Sequence, residues 1–168
     1  MLAGTPLLAL GAGEVVDVRQ SETVSGVHVS NLFKWNSVML ALDDGAFVEY
    51  VHLRANSVTV KLGDRVRCRQ QVRMPALTMP PLSTLSPPFF AASTFSLVNW
   101  GRAGVWWLQI AESGDVGFSP EPHLHLQMHT SRDPEAPTIM FALRGEAAGN
   151  AYFPEAGNWY NAAGEVDR

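Results

Sequence analysis

The stretch NSVMLALDDGAFVEYVHL, residues 36–53, decides the fold class of this chain. Two strand-like runs, Asn36–Leu42 and Ala46–Leu53, flank the turn sequence DDG at residues 43–45. An Asp-Gly pair between two such runs is a strong β-hairpin signal, because both residues tolerate positive φ. The stretch therefore predicts two adjacent antiparallel strands.

The sequence on either side of this hairpin has the same character. Gly13–Arg19 alternates valine with polar residues, and the turn at residues 63–64 precedes another run. The further predicted strands are Arg65–Val72, Ile110–Ser119 (a short strand and a loop), Pro122–His129 and Thr138–Leu143. Since no helical period of useful length occurs among them, the pattern predicts an all-β protein.

Composition excludes several classes of protein. The chain has 168 residues, of which 46% are hydrophobic and 17% charged, so wholesale disorder is not expected. The net charge is −4 and no block of Lys or Arg occurs, which argues against nucleic acid as a partner. No apolar run is long enough to span a membrane, and no basic residue precedes Arg19 as a signal peptide would require. Because Cys68 is the only cysteine, neither an intrachain disulfide nor a cysteine-based zinc site is possible.

The histidines are the candidate site residues. In the strand Pro122–His129, His123 and His125 lie on one face, because side chains in a strand repeat every two residues. Such a pair can share a metal or divide metal binding and proton transfer, but it can also be two exposed histidines. His52 lies on another predicted strand, where a single histidine is more often structural than catalytic. We expect His28 and His129 at the surface.

Several motifs follow one another in a specific order. They are GTPLLA at residues 4–9, GEVVDV at 13–18, DG at 44–45, YVHL at 50–53, GDRV at 63–66 and SGDVGFSPEPHLHL at 113–126. In this order they resemble the β-sheet core of the lysostaphin-type (LytM-like) zinc metalloendopeptidases. The similarity covers residues 1–72 and 110–143.

The resemblance implies a compact antiparallel β-sheet or barrel-like core of the duplicated hybrid motif kind. It also implies a zinc ion held by the His and Asp of an HxxxD motif and by the second His of HxH. A zinc-bound water then attacks a peptide bond in peptidoglycan cross-links. By this resemblance His125 is the metal ligand, and His52 and His123 are catalytic residues that polarise the water and stabilise the oxyanion. Three protein ligands and one open position are the usual arrangement of catalytic zinc.

The chain departs from the family at the metal site. No HxxxD lies ahead of the GTPLLA segment, where the family has it: only three residues precede Gly4, and Leu32 stands four positions after His28 and Asn56 four positions after His52. We therefore expect an N-terminally truncated sequence in which Met1 is an internal methionine of a longer, exported protein. Zinc binding by these 168 residues is expected to be weak or absent.

An insert is the second departure. From Met74 to Gln109 the only charged residue is Arg102, and five of the eleven prolines and three of the five tryptophans occur there. Removing residues 73–109 joins QQV to IAESG and restores a continuous family-like segment. We interpret the insert as a translated intron or similar gene-model artefact, with a genuine lid as the alternative. The predicted organisation is one peptidase-like β domain at residues 1–143, interrupted by 73–109, and a C-terminal tail at 144–168.

Two functions remain open at this point. The first is a zinc metalloendopeptidase acting on a peptide or on peptidoglycan, impaired in this chain because ligands are missing. The second is a catalytically inactive module of the same fold that binds a ligand in its groove. A carrier domain of the biotinyl or lipoyl kind is a weaker third reading, because Lys61 precedes Gly-Asp rather than forming the required Met-Lys turn. The sequence predicts neither the substrate-binding residues nor the oligomeric state.

Overall fold

The computed structural model describes residues 2–67, 71–72, 97–99, 106–133, 135–144, 151–153, 155, 159–161 and 164–166. Within these ranges the helical structure is limited to a 3-10 turn at Val29–Asn31. The strands are β1 (Pro6–Leu8), β2 (Gly13–Arg19), β3 (Ser37–Leu42), β4 (Phe47–Val51), β5 (Arg65–Val66), β6 (Gln71–Val72), β7 (Leu97–Asn99), β8 (Trp106–Glu112), β9 (His125–His129), β10 (Leu143–Arg144), β11 (Ala151–Tyr152), β12 (Trp159–Asn161) and β13 (Gly164–Val166). The all-β prediction is confirmed. In the described part of the chain, no helix is long and apolar enough to cross a membrane.

The predicted hairpin is the centre of the larger sheet. Strands β3 and β4 pair antiparallel from Ser37↔Val51 to Ala41↔Phe47. Gly45 has a φ of 93°, which favours glycine and closes the turn where the sequence places Asp-Gly. Among the described residues, the sheet has five strands in the order β5-β2-β3-β4-β9, all paired antiparallel. This order puts β9, which begins with His125, directly beside β4.

A second antiparallel sheet closes the core from the other side. Strand β8 pairs with β1 and with the short strands β6 and β7. Both sheets contribute apolar side chains to one buried cluster, including Leu7 and Ile110 from this sheet and Leu40 and Tyr50 from the larger one. The Tyr50 hydroxyl accepts a hydrogen bond from the Leu10 amide at 2.7 Å. Burial of this cluster holds the two sheets together and fixes the strands that position the candidate site.

The structure places strands inside the predicted insert. Strand β8 runs without a break from Trp106 to Glu112, so the expected boundary at residue 109 lies within a strand. Gln109 is buried and pairs with Leu8, and its carbonyl accepts a hydrogen bond from Thr59. Strand β7 also lies in the insert. Most of residues 73–105, and the side chains of Trp100, Trp106 and Trp107, lie outside the described residues, so the origin of the insert stays a prediction.

The predicted strand at Thr138–Leu143 is wrong for most of its length. Thr138 makes one bridge to His129, and the Ile139 amide donates to the Met128 carbonyl at 2.8 Å. Beyond that point the chain leaves the sheet, and Met140 is 83% exposed. Apolar composition alone suggested a strand there, but β9 supplies a pairing edge only at its end. The predicted boundary between residues 143 and 144 also lies inside a strand, because β10 spans both residues. In the predicted tail, β10 pairs with β11 and β12 pairs with β13.

Candidate active site

The candidate histidines lie on the outer face of the larger sheet, opposite the core. In the pairing of β4 with β9, Tyr50 faces Leu126, and both pack on the core. The neighbouring pair Val51↔His125 must therefore point to the opposite face, because side chains alternate along a strand. His123 precedes His125 by two residues and makes an isolated bridge to Gly114. Regular strand geometry accounts for both histidines of HxH on the outer face.

His52 reaches the same face by an irregularity of the backbone. Simple alternation after Tyr50 would send the His52 side chain into the core. Instead His52 has a φ of 62°, in the left-handed region that non-glycine residues rarely adopt. The next residue, Leu53, is fully buried in the core and bridges to Ser113. The core residues Tyr50 and Leu53 are thus three positions apart rather than two, and His52 is turned outward between them.

The three histidines converge at this point. The ring centroids of His52 and His123 are 4.8 Å apart, and those of His52 and His125 are 5.8 Å apart. His52 is only 8% exposed, His123 is half-buried and His125 is exposed. Side chains from the end of β4, from the loop before β9 and from β9 itself therefore form one cluster of imidazoles.

Hydrogen bonds fix the orientation of two of these rings. The Val116 carbonyl lies 2.8 Å from His52 Nδ1, and the Glu121 carbonyl lies 2.9 Å from His123 Nδ1. Because a carbonyl only accepts, each Nδ1 must donate its hydrogen, which leaves Nε2 of each neutral ring with its lone pair. Ser119 is buried beside His123, with its Oγ 3.1 Å from Nδ1 and 2.8 Å from the Glu121 carbonyl.

The surroundings keep two of the imidazoles neutral near pH 7. Burial lowers the pKa of His52, and the neighbouring His123 and His125 lower it further, against the raising effects of the Val116 carbonyl and Asp115. Although His125 is exposed, partial desolvation among its neighbours lowers its pKa too, as does His123, while Glu49 raises it. A neutral imidazole can accept a proton or bind a metal, whereas an imidazolium can do neither.

The described residues do not fit a metal ion by themselves. No group of three or more His, Cys, Asp or Glu side chains in the described part of the chain is arranged to hold one. The described part of the chain therefore supplies no complete set of metal ligands.

An open cavity of about 250 Å³ lies over the cluster. Val51, His52 and His125 line it together with Gln127, and apolar side chains border the rest. These apolar residues are Leu32, Trp35 and Phe118. A concave, mostly apolar surface with a few polar groups is the usual form of a ligand-binding site.

The sequence pointed to the histidines but missed the groups that hold and flank them. Ser119 and the carbonyls of Val116 and Glu121 orient two of the rings, and no pattern marks a carbonyl as a partner. Glu49 was also missed, although alternation from Val51 places it on the outer face. The expectation that His129 lies at the surface is wrong, since it is 1% exposed and its Nδ1 lies 2.9 Å from the Ala136 carbonyl. His28 is exposed as expected.

Comparison with known proteins gives structural neighbours only. No protein-family model matches the sequence, and the comparison with curated proteins found no match. Solved structures that match include a mutant of the catalytic domain of EnpA, a prophage-encoded M23 protein from Enterococcus faecalis. Its identity is 16% over 83% of this chain and 68% of that one, with a TM-score of 0.47.

Two further solved structures match at similar levels. The catalytic domain of the antimicrobial peptidase lysostaphin from Staphylococcus simulans is 23% identical over 77% of this chain and 61% of its own, with a TM-score of 0.41. A zinc-containing peptidase from Vibrio cholerae is 18% identical over 74% of this chain but only 23% of its own, also with a TM-score of 0.41. These proteins include the one that gives the resembled family its name.

Proposed function

We propose that this chain is the β-sheet core of a lysostaphin-type zinc metalloendopeptidase that hydrolyses peptide bonds in peptidoglycan cross-links. The observation that supports it most is the convergence of His52, His123 and His125 over an open groove, from separate parts of the chain. A purely structural role does not require three imidazoles at one groove. Since peptidoglycan lies outside the cytoplasmic membrane, the proposal includes export of the protein.

The roles follow from the hydrogen bonds of the rings. His52 and His123 each donate from Nδ1 to a carbonyl, so that Nε2 is available to take a proton or, once protonated, to hydrogen-bond a developing oxyanion. The His125 ring makes no hydrogen bond among the described residues, and the resemblance matches it to a metal ligand. In this proposal the other two ligands, the His and Asp of HxxxD, belong to a segment ahead of Gly4.

The first described residues lie close to the end of the strand that holds His52, where additional metal ligands would be needed. The Gly4 amide donates to the Ser113 carbonyl at 2.8 Å, and Ser113 Oγ donates to the Leu2 carbonyl. Ser113 also bridges to Leu53, the residue after His52. A segment joined ahead of Gly4 would therefore begin beside the strand end that holds His52.

A groove-binding module without catalysis is the second candidate. The incomplete ligand set favours it, as does the apolar border of the groove formed by Leu32, Trp35 and Phe118. Such a module would bind a peptide or glycan and leave it intact. The two candidates differ in a measurable way, because only the peptidase gains turnover when the metal ligands are completed.

The test compares this chain with a longer version that has an HxxxD segment ahead of Gly4. The quantities measured are zinc per chain by atomic emission and hydrolysis of a glycine-rich peptide. We expect little zinc and little hydrolysis for the 168 residues alone. The longer version should bind one zinc and cleave the peptide, and chelators should abolish that activity.

Single substitutions in the longer version assign the roles. His125→Ala should lose the metal, whereas His52→Ala and His123→Ala should keep it and lose about 10²–10⁴-fold in rate. His28→Ala removes an exposed imidazole that contacts Ser30, and serves as the matched control with no loss. If the longer version binds zinc and peptide but never cleaves, the binding module is correct. If the 168 residues bind zinc tightly and cleave unaided, the claim of an incomplete site is wrong.

A further inference from the structure

A second cavity continues the groove along the sheet. It has a volume of about 590 Å³ and shares the Trp35 side chain with the cavity over the histidines. Glu49 lines it, and Glu49 pairs with Gln127, the residue pair next to Val51↔His125 on the same face. Successive same-face pairs along a strand are about 6–7 Å apart. The cavity therefore begins roughly one residue pair from His125.

The floor of this cavity contains a buried carboxylate. Glu49 is only 3% exposed, and Gln127 Nε2 donates to its Oε2 at 2.6 Å. Gln127 is neutral, and none of the ion pairs among the described residues includes Glu49. Burying a carboxylate without a counter-charge is costly. A cation that enters the cavity would offset that cost.

The other charges around the cavity leave an excess of carboxylates. Asp17, Glu49 and Glu135 stand against Arg19 and Arg132. The guanidinium of Arg19 is 3.9 Å from the Asp17 carboxylate, and Arg132 donates to the Val16 carbonyl at 2.6 Å. Neither guanidinium is paired with Glu49, and of the two carboxylates at this cavity that are in no ion pair, Glu49 and Glu135, only Glu49 is buried.

Two aromatic rings complete the cavity wall. Phe33 is 80% exposed, and its ring centroid is 6.1 Å from that of Trp35. Aromatic faces attract cations, and the Arg19 guanidinium already lies 6.0 Å from the Trp35 ring centre. A carboxylate floor under aromatic walls suits a primary ammonium group on a flexible chain.

We propose that Glu49 is a specificity-determining residue that selects a peptide with a primary ammonium group, held about one residue pair from His125. This inference rests on the proposed function for the identity of the ligand as a peptide. It adds the chemical class of the group that flanks the reacting bond.

The test is a binding measurement that needs neither metal nor turnover. Two glycine-rich peptides, identical except for lysine or Nε-acetyl-lysine beside the glycines, are titrated into the 168-residue chain by calorimetry at low salt. We expect the lysine peptide to bind about tenfold more tightly, which corresponds to about 1.4 kcal/mol. Glu49→Gln should bring the ratio close to one. Glu135→Gln, which neutralises an exposed carboxylate at the same cavity, should keep most of it.

A second readout covers the case in which Glu49→Gln does not fold. In the wild-type chain, the side-chain amide signals of Gln127 should shift in NMR spectra with the lysine peptide and not with the acetylated one. Equal affinity of the two peptides for the wild-type chain would overturn the inference, and so would an unchanged Gln127 amide. Hydrolysis without lysine preference would refute only this inference. Lysine preference without hydrolysis in any form would support it and refute the peptidase.

Discussion

Gly114 holds the two halves of the histidine cluster together, and its replacement is the sharpest test of the packing. It bridges to His123, and its carbonyl accepts from the His123 amide at 3.0 Å. A Cβ atom at this position would lie 2.7 Å from the Arg54 amide nitrogen, 2.8 Å from Arg54 Cα and 3.0 Å from the Leu53 carbonyl carbon. All three are backbone atoms, so no side-chain rotation relieves the clash.

The expected cost of Gly114→Ala follows from what must move. Displacing Arg54 lengthens the hydrogen bond from its amide to the Glu112 carbonyl, which is 3.0 Å, and disturbs the adjacent bridge between Leu53 and Ser113. Overpacking costs about 1–3 kcal/mol and a weakened hydrogen bond about 1 kcal/mol, against a gain of about 0.4–1 kcal/mol from the stiffer unfolded chain. We therefore expect a loss of about 2–3 kcal/mol, or about 4–12 °C in Tm for a domain of this size.

Gly11→Ala is the matched control for this change. Its Cβ would lie 3.0 Å from Leu42 Cδ2, the end of a flexible side chain that can rotate away. Thermal unfolding of both variants by circular dichroism at neutral pH is the assay. We expect the Tm of Gly11→Ala to stay close to that of the wild type. If Gly114→Ala melts with the wild type, or if both variants lose the same amount, the close backbone approach at the site is refuted.

Three further outcomes are expected. Tyr50→Phe should lower the free energy of unfolding by about 1–3 kcal/mol in urea titrations, because it leaves the Leu10 amide without its hydroxyl acceptor; an unchanged midpoint would contradict this. Leu53→Ala should cost about 2–5 kcal/mol in the same assay, since Leu53 is fully buried, whereas Met140→Ala at an 83% exposed position should change little. Tm should fall as the pH drops from about 7.5 to about 5.5, because burial holds the pKa of His52 and of His125 below the ordinary 6.5, so the unfolded chain takes up protons first. His125→Gln should flatten that pH profile, and an equally steep profile would contradict the assignment.

The strands that the sequence predicted correctly are those with two independent signals. Alternation and an Asp-Gly turn both marked β3 and β4, and the pairing of Ser37 with Val51 follows from them. Alternation also placed His123 and His125 on one face. Only its apolar composition indicated a strand at Thr138–Leu143, and this run does not form the predicted strand. Strand β7 and the first half of β8 lie in the Pro- and Trp-rich segment, where no period indicated a strand, and only the end of β8 from Ile110 was predicted.

The position of His52 shows why the site as a whole could not be read from strand patterns. Perfect alternation through residues 50–53 would point the His52 ring into the core and Leu53 away from it. In the structure Leu53 is buried in the core instead, and His52 lines the groove. The left-handed φ of 62° is strained for a histidine, by about 1–3 kcal/mol in general. Burial of Leu53 and the hydrogen bond between His52 Nδ1 and the Val116 carbonyl compensate for that strain. The alignment of His52 with its two partners therefore depends on contacts made by residues that are more than sixty positions away in sequence, and only the folded chain brings these contacts together.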